Sequence, residues 1–454
     1  MKITSLKFNN STIHKMYHGN ELVNKIGDAF TYMEASGDTP TPPTPVPYSG
    51  QYLTFVAEAD NLTIGLAYAE DNVFQYSTDS GATWSDLTNN ESTSSVNSGE
   101  TILFKASGLT SYPYTGIGVL TPSVNARVQG NIMSLVYGDN FARKTSLEID
   151  SQFAALFWRA TKLTSAENLI MPATTLRQGC YSEMFNGCTS LTTAPALPAT
   201  TLANSCYNAM FNGCTSLTTA PELPATTLAE RCYSHMFASC TSLTTAPSVL
   251  PATTLAYYCY DNMFSGCTSL TTAPELPATT LTNECYRYMF NGCTSLTTAP
   301  ELPATTLASG CYDYMFNGCT SLATAPELPA TTLAQYCYYQ MFKGCTSLSV
   351  APELPATTLV KYCYYGMFSG CTNLNSITCL ATDKSASNCT SAWVSGVAAN
   401  GTFVKAATMN DWTTGLSGIP NGWTVQNDDD DIDIPVDGGG WDSGGGGLDP
   451  GDAD

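Results

Sequence analysis

The most distinctive chemistry in this 454-residue chain lies in its 18 cysteines and 3 histidines. Nine cysteines fall at 180, 206, 232, 259, 285, 311, 337, 363 and 389, and eight at 188, 214, 240, 267, 293, 319, 345 and 371. Cys379 stands outside both series. Thiols repeated so regularly admit three kinds of chemistry. Buried and reduced, they act as small apolar side chains that fill a core. On neighbouring rungs of a ladder they can pair as disulfides, because rungs spaced by about 4.8 Å fall within the Cα separations of about 4.4–6.8 Å that a disulfide allows. Zinc is the third, but the pairs read C-x7-C rather than C-x2-C and no histidine accompanies them. The core-filling reading is preferred, and the lack of C-x-x-C argues against a redox enzyme. His14, His18 and His235 form no cluster, so a histidine metal centre or a histidine-assisted nucleophile lacks its parts.

The cysteines are periodic because the chain is. Leu197–Glu222 reads LPATTLANSCYNAMFNGCTSLTTAPE, and Leu276–Glu301 reads LPATTLTNECYRYMFNGCTSLTTAPE. Proline anchors fall at 172, 198, 224, 251, 277, 303, 329 and 355, a spacing of 26 with one step of 27. Such a period predicts a solenoid, in which a unit unable to bury its apolar face alone stacks on its neighbours. Within a unit, Leu202, Cys206 and Met210 recur at i, i+4 and i+8, with Tyr207 and Phe211 beside them. That stripe predicts a helix-like segment, with Thr201 as its cap and Gly213 as its left-handed stop. A short strand over Ser216–Ala220 follows, cut off by the proline that cannot join a central ladder. The fold class is thus an α/β repeat: a leucine-rich-repeat solenoid of about eight 26-residue coils over 171–379. Degenerate units cap it at 140–170, where Phe153–Ile170 aligns with the repeat, and at 380–426, where Trp393-Val394 takes the Met-Phe place.

YxxMFxGCTSLTT at this period resembles the BspA-like leucine-rich repeat, the 26-residue repeat of bacterial surface proteins, over about 145–405. The resemblance implies adhesion to proteins, host cells and surfaces, without catalysis. IHKMYHGNELVNKI, near the start, is similar to the opening of phage and prophage tail-associated proteins.

Upstream of the repeats, residues 1–33 read as a small β docking module, and 34–49 as a linker with five prolines between 40 and 47. Residues 50–139 alternate strand-like runs with turn clusters, the pattern of a small all-β sandwich-like domain. Inside it, Ser77-Thr78-Asp79-Ser80-Gly81-Ala82-Thr83-Trp84 matches the SxDxGxTW Asp-box, read as a hairpin brace rather than a glycosidase site, since a fold-level cue does not carry a site. Residues 427–454 form an acidic Gly/Asp tail with ten aspartates; it reads as a solvated end, or more weakly as a calcium site around Asp428–Asp431.

The tail holds nearly half of the formal charge of −21, set by 17 Lys+Arg against 38 Asp+Glu. That balance argues against nucleic acid as a partner. No apolar run reaches a membrane span or a secretory leader, so the expectation is no membrane insertion and export by another route, such as phage lysis.

The variable positions flank the Cys-Tyr pair of each unit and fall off the apolar stripe. Tyr257, Tyr258, Asp261, Arg287, Tyr288, Asp313, Tyr314, Tyr336, Tyr339, Tyr362 and Tyr365 are therefore expected on one outer ridge. Their palette resembles a paratope, in which tyrosine supplies area and small polar residues supply hydrogen bonds. Ordinary substitution at solvent positions gives the same pattern; the functional alternative is a ridge that binds a receptor or glycan. The repeats offer no convergent titratable groups for catalysis, so neither catalytic residues, cofactor nor metal is expected. The expected function is non-catalytic attachment: a virion protein of a phage tail that presents its solenoid to a host-surface protein or glycan. Its N-terminal module would dock other virion proteins, and a homo-oligomer is compatible with that role. The alternative is a bacterial cell-surface adhesin.

Overall fold

The computed structural model describes residues 51–112 and 114–429, and the backbone of three strands, β1 (Met16–His18), β2 (Glu21–Ile26) and β3 (Ala29–Met33). Those three pair antiparallel in the order β1-β2-β3. The proline-rich linker and the acidic tail beyond 429, with most of its aspartate run, lie outside the described residues.

The strands that follow are β4 (Leu53–Ala57), β5 (Ile64–Ala67), β6 (Phe74–Ser77), β7 (Ser85–Leu87), β8 (Thr101–Lys105), β9 (Val119–Pro122), β10 (Ala126–Asn131) and β11 (Leu163–Ile170). A six-stranded sheet runs β11-β10-β4-β8-β6-β7, and β5 pairs with β9 separately. Strand β4 is buried along its whole length, whereas β8 alternates, as a strand with one packed face should. The β6–β7 hairpin is braced as expected. The Asp79 carboxylate accepts from the Thr83 amide (2.9 Å), the Thr83 hydroxyl (2.6 Å) and the Ser77 hydroxyl (2.7 Å). These donors hold the Asp79 carboxyl at a pKa of about 2.

Strand β11 joins this sheet to the repeats. It pairs parallel with β10 on one side, and on the other its Ala166 amide donates to Thr193 of the first full unit (3.0 Å). One buried cluster accordingly runs from Leu53 through the repeats to Trp423.

In the repeats the structure corrects the α/β expectation. Among the described residues the single α-helix is α1 (Ser134–Tyr137), outside the repeats. The segment expected as helical is a run of overlapping turns. Ser205, Ala209 and Gly213 have φ of 55°, 52° and 71°. A left-handed residue every fourth position is incompatible with a right-handed helix. The Asn208, Met210, Asn212 and Cys214 amides donate three residues back, at 3.1–3.2 Å. The Tyr207, Ala209, Phe211 and Gly213 amides instead donate to carbonyls of the next unit, at 2.8–3.0 Å. Alternate amides therefore bond within the unit and across to its neighbour. A turn run of four-residue repeat puts apolar residues at i and i+4 just as a helix does, and the stripe cannot tell them apart. The expected strand Ser216–Ala220 shrinks in turn to one bridging residue, Thr219 opposite Thr245, before Pro221 ends it.

Stacking puts like residues on like. Tyr181 to Tyr364 form a buried ladder with ring centroids 5.6–6.0 Å apart, and Phe185 to Phe368 a second at 5.3–5.9 Å. All 18 cysteines are free and buried. Those of the second series are also hydrogen bonded: Cys214 Sγ donates to the Phe185 carbonyl at 3.1 Å, and the pattern holds from Cys188 to Cys371. Burial pushes the Cys214 and Cys319 thiols well above the ordinary range and Cys240 to about 12, so they stay protonated as donors.

At the terminal units Phe153 stacks on Tyr181, Phe157 on Phe185, and Trp393 lies against Tyr364 and Phe368. A parallel sheet, β12 (Ser376–Cys379), β13 (Thr402–Lys405) and β14 (Thr424–Asn427), closes the far end.

Candidate recognition face

The turn run decides which side chains leave the stack. In unit 197–222, Cys206, Tyr207, Met210 and Phe211 point into the core, while the positions of Asn204, Ser205, Asn208 and Ala209 form four outward columns. All eleven residues expected on a ridge lie in these columns. Tyr257 and Tyr336 are exposed, and Tyr258, Arg287, Tyr288, Asp313, Tyr314, Tyr339, Tyr362 and Tyr365 are half-buried. Asp261 departs from the expectation: it is 6% exposed, sunk beneath the larger side chains of adjacent coils. Its carboxylate accepts from Asn262 Nδ2 (3.0 Å) and Ser234 Oγ (3.4 Å), and His235 Nδ1 stands 3.8 Å away.

Two clusters emerge. In the first, Arg287 Nε lies 3.5 Å from Asp313 and 3.6 Å from Glu284, with its guanidinium over the rings of Tyr288 (4.9 Å) and Tyr258 (5.8 Å). Burial and the nearby Glu284 and Asp261 charges outweigh Arg287 and raise the Asp313 carboxyl to about 7. Asp313 Oδ1 is buried and meets no donor among the described residues. Burial likewise raises the Asp261 and Glu183 carboxyls.

The second cluster is an aromatic ladder. Tyr288 stacks on Tyr314 (4.4 Å), Tyr314 meets Tyr339 (5.4 Å), Tyr339 stacks on Tyr365 (4.7 Å) and Tyr336 on Tyr362 (4.8 Å). Because the rings cover one another's faces, the ladder offers its edges and hydroxyls outward, the electropositive side of the aromatic quadrupole. Arg287 links the clusters into one strip.

Sequence reasoning missed a cleft beside the strip. Its volume is about 530 Å³, and Glu183, Asn208, Asn212, Arg231 and His235 line it together with Tyr258, Asp261 and Arg287. The signal was present: Ser205 and Ala209 are small residues in columns that elsewhere carry Tyr, Arg, His and Glu. Among the described residues no three His, Cys, Asp or Glu side chains are grouped to hold a metal ion, and no helix is long and apolar enough to cross a membrane.

Residues 159–297 and 286–390 match the model of the BspA type leucine rich repeat region, in six copies. Among solved structures the chain is similar to a leucine-rich repeat protein from Bacteroides ovatus ATCC 8483, at 15% identity over 70% of this chain and 88% of that one, with a TM-score of 0.32. A comparison with curated proteins gives no match.

Proposed function

The chain belongs to the BspA-type leucine-rich repeat family, and on that premise we propose that it is a non-catalytic adhesion protein whose variable columns are its binding face. In this reading a solenoid of about eight coils with degenerate caps, preceded by a sandwich-like β domain, holds the face rigid. The observation that carries the proposal is the continuous strip from Tyr258 through Arg287 to Tyr365. Tyrosine and arginine are the residues most enriched where binding energy concentrates, because they combine area with polar reach. The titratable groups of the strip are engaged with one another, an arrangement that supports recognition more than catalysis. The partner is a protein or glycan of a host surface.

Attachment of labelled chain to cells or matrix tests the face. Tyr314→Ala with Tyr339→Ala should weaken it about tenfold or more, the scale of a hot-spot loss. Unchanged attachment by a double variant with unchanged melting refutes it. For the carrier, IHKMYHGNELVNKI favours display on a phage tail, with its first strands as the docking element, over a bacterial surface. Proteomics of purified particles decides: absence from virions removes the tail reading and leaves the cell-surface one.

A further inference from the structure

The cleft above Ser205 and Ala209 owes its existence to two small side chains. In the same two columns the flanking coils carry Glu183 on one side and Arg231 and His235 on the other. Two coil spacings of about 4.8 Å separate these walls, so the opening has the width of one saccharide ring. Its 530 Å³ falls within the range of small-molecule sites, about 300–1,000 Å³.

The groups lining it differ in how far they are committed. Arg287 is held by Glu284 and Asp313, and His235 faces Asp261. Arg231 is exposed and forms no ion pair among the described residues; its guanidinium lies over the Tyr258 ring at 5.1 Å. The side-chain amides of Asn208 and Asn212, on the coil that forms the floor, likewise bond to no protein group among the described residues, and on the adjoining wall the half-buried Glu183 carboxylate accepts from Asn186 Nδ2 at 3.4 Å. An unpaired guanidinium fork matches a carboxylate through two parallel hydrogen bonds. Amides that both donate and accept, beside a carboxylate acceptor, match vicinal hydroxyls. An apolar ligand finds little here, because the Tyr258 ring is already covered by the guanidinium groups of Arg231 and Arg287.

We infer that this cleft is a subsite for a saccharide bearing a carboxylate, with Arg231 holding the carboxylate and Asn208, Asn212 and Glu183 the ring hydroxyls. The inference rests on the recognition reading above and names a ligand class for one part of the same face.

Calorimetric titration of the full chain with trigalacturonate, sialyllactose and neutral lactose tests it. At least one acidic saccharide should bind about tenfold or more tightly than lactose, and Arg231→Gln should remove that preference. Ala209→Tyr fills the cleft and should abolish binding. It should also fold, because Tyr288 and Tyr314 occupy the same column at φ of 52° and 55°, and its melting curve checks this. Lactose binding as tightly as both acids, retained binding by A209Y, an acid preference that survives R231Q, or no binding of any of the three at millimolar concentration overturns the subsite. Attachment through the tyrosine ladder is read in the separate cell assay, so loss of the subsite leaves the adhesion reading standing, and the reverse.

Discussion

Replacing Asp313 by Asn should make the protein more stable at pH 8, and about half as much so at pH 5.5. Three carboxylates, from Asp261, Glu284 and Asp313, surround the guanidinium of Arg287, so the cluster carries excess negative charge in a half-buried place. The Asp313 carboxyl titrates at about 7 in the folded chain against 3.8 as a free side chain. Between those values the folded state holds a proton that the unfolded state has lost, so stability falls as pH rises through that window. The difference of about 3 units sets a ceiling of about 4 kcal/mol on the destabilisation at pH 8. Asparagine, like the protonated acid, carries no charge, and the shifted pKa already includes the attraction to Arg287, so the gain approaches that ceiling at pH 8 and is about 2 kcal/mol at pH 5.5. For a chain of this size the gain at pH 8 is a rise in Tm of up to about 5 °C, readable by scanning calorimetry. The wild type should also melt lower at pH 8 than at pH 5.5, and the variant should lose most of that difference. A variant that is less stable than wild type at pH 8, with its pH dependence intact, would refute the reasoning.

The thiol ladder predicts that the native chain resists alkylation and that all 18 cysteines react once it is unfolded in denaturant without reductant; intact-mass spectrometry reads both, and fewer than 18 in the unfolded chain would mean disulfides. Gly130→Ala should destabilise far more than Gly292→Ala. Both glycines have φ above +70°, but a Cβ at 130 would run into the Tyr52 carbonyl, whereas at 292 its nearest neighbour is Gly266 Cα at 3.9 Å. Position 292 should cost only about 1–2 kcal/mol of backbone strain, measured by denaturant titration. Phe290→Ala removes a rung between Phe264 and Phe316 and should cost about 3–5 kcal/mol. Hydrogen exchange should then rise in the adjoining units, because amides such as that of Phe264 bond across coils; a loss of protection confined to one unit would contradict that coupling.

What the sequence made legible was the part encoded in one residue type at one interval. The 26-residue period, the buried Tyr207 and Phe211 columns, and the alignment of Phe153 and Trp393 with the terminal units could all be read directly, because stacking forces like residues together. The path of the chain inside a unit was less legible. Leu202, Cys206 and Met210 carry the same i, i+4 signature whether the backbone is an α-helix or a string of turns. The decisive information is the left-handed φ at Ser205 and Ala209, and neither residue type announces it. Glycine would have done so, as it does at Gly213, whose φ is 71°. For the site, the outward columns were visible but the relief was not. Asp261 sinks because large neighbours close over it, and the cleft opens because small ones do not.

The backbone of those columns gives the tyrosines physical weight. Tyr258, Tyr288, Tyr314, Tyr336 and Tyr362 all have φ between 52° and 59°, in columns where Gly179, Gly310 and Gly366 also stand. An L-residue with a Cβ is disfavoured there by about 1–2 kcal/mol, a cost that glycine escapes. An aromatic pair returns about 0.5–1.5 kcal/mol beyond the area it buries, so the strain is offset where another ring lies against the tyrosine. The rings at these positions do lie in contact: Tyr288 with Tyr314, Tyr336 with Tyr362, Tyr258 with Tyr257. What tyrosine adds is an outward row of hydroxyls and ring edges on a scaffold whose core columns are fixed independently of it. A stack built this way can change its outward residues without disturbing its ladders, which is the property a binding face requires.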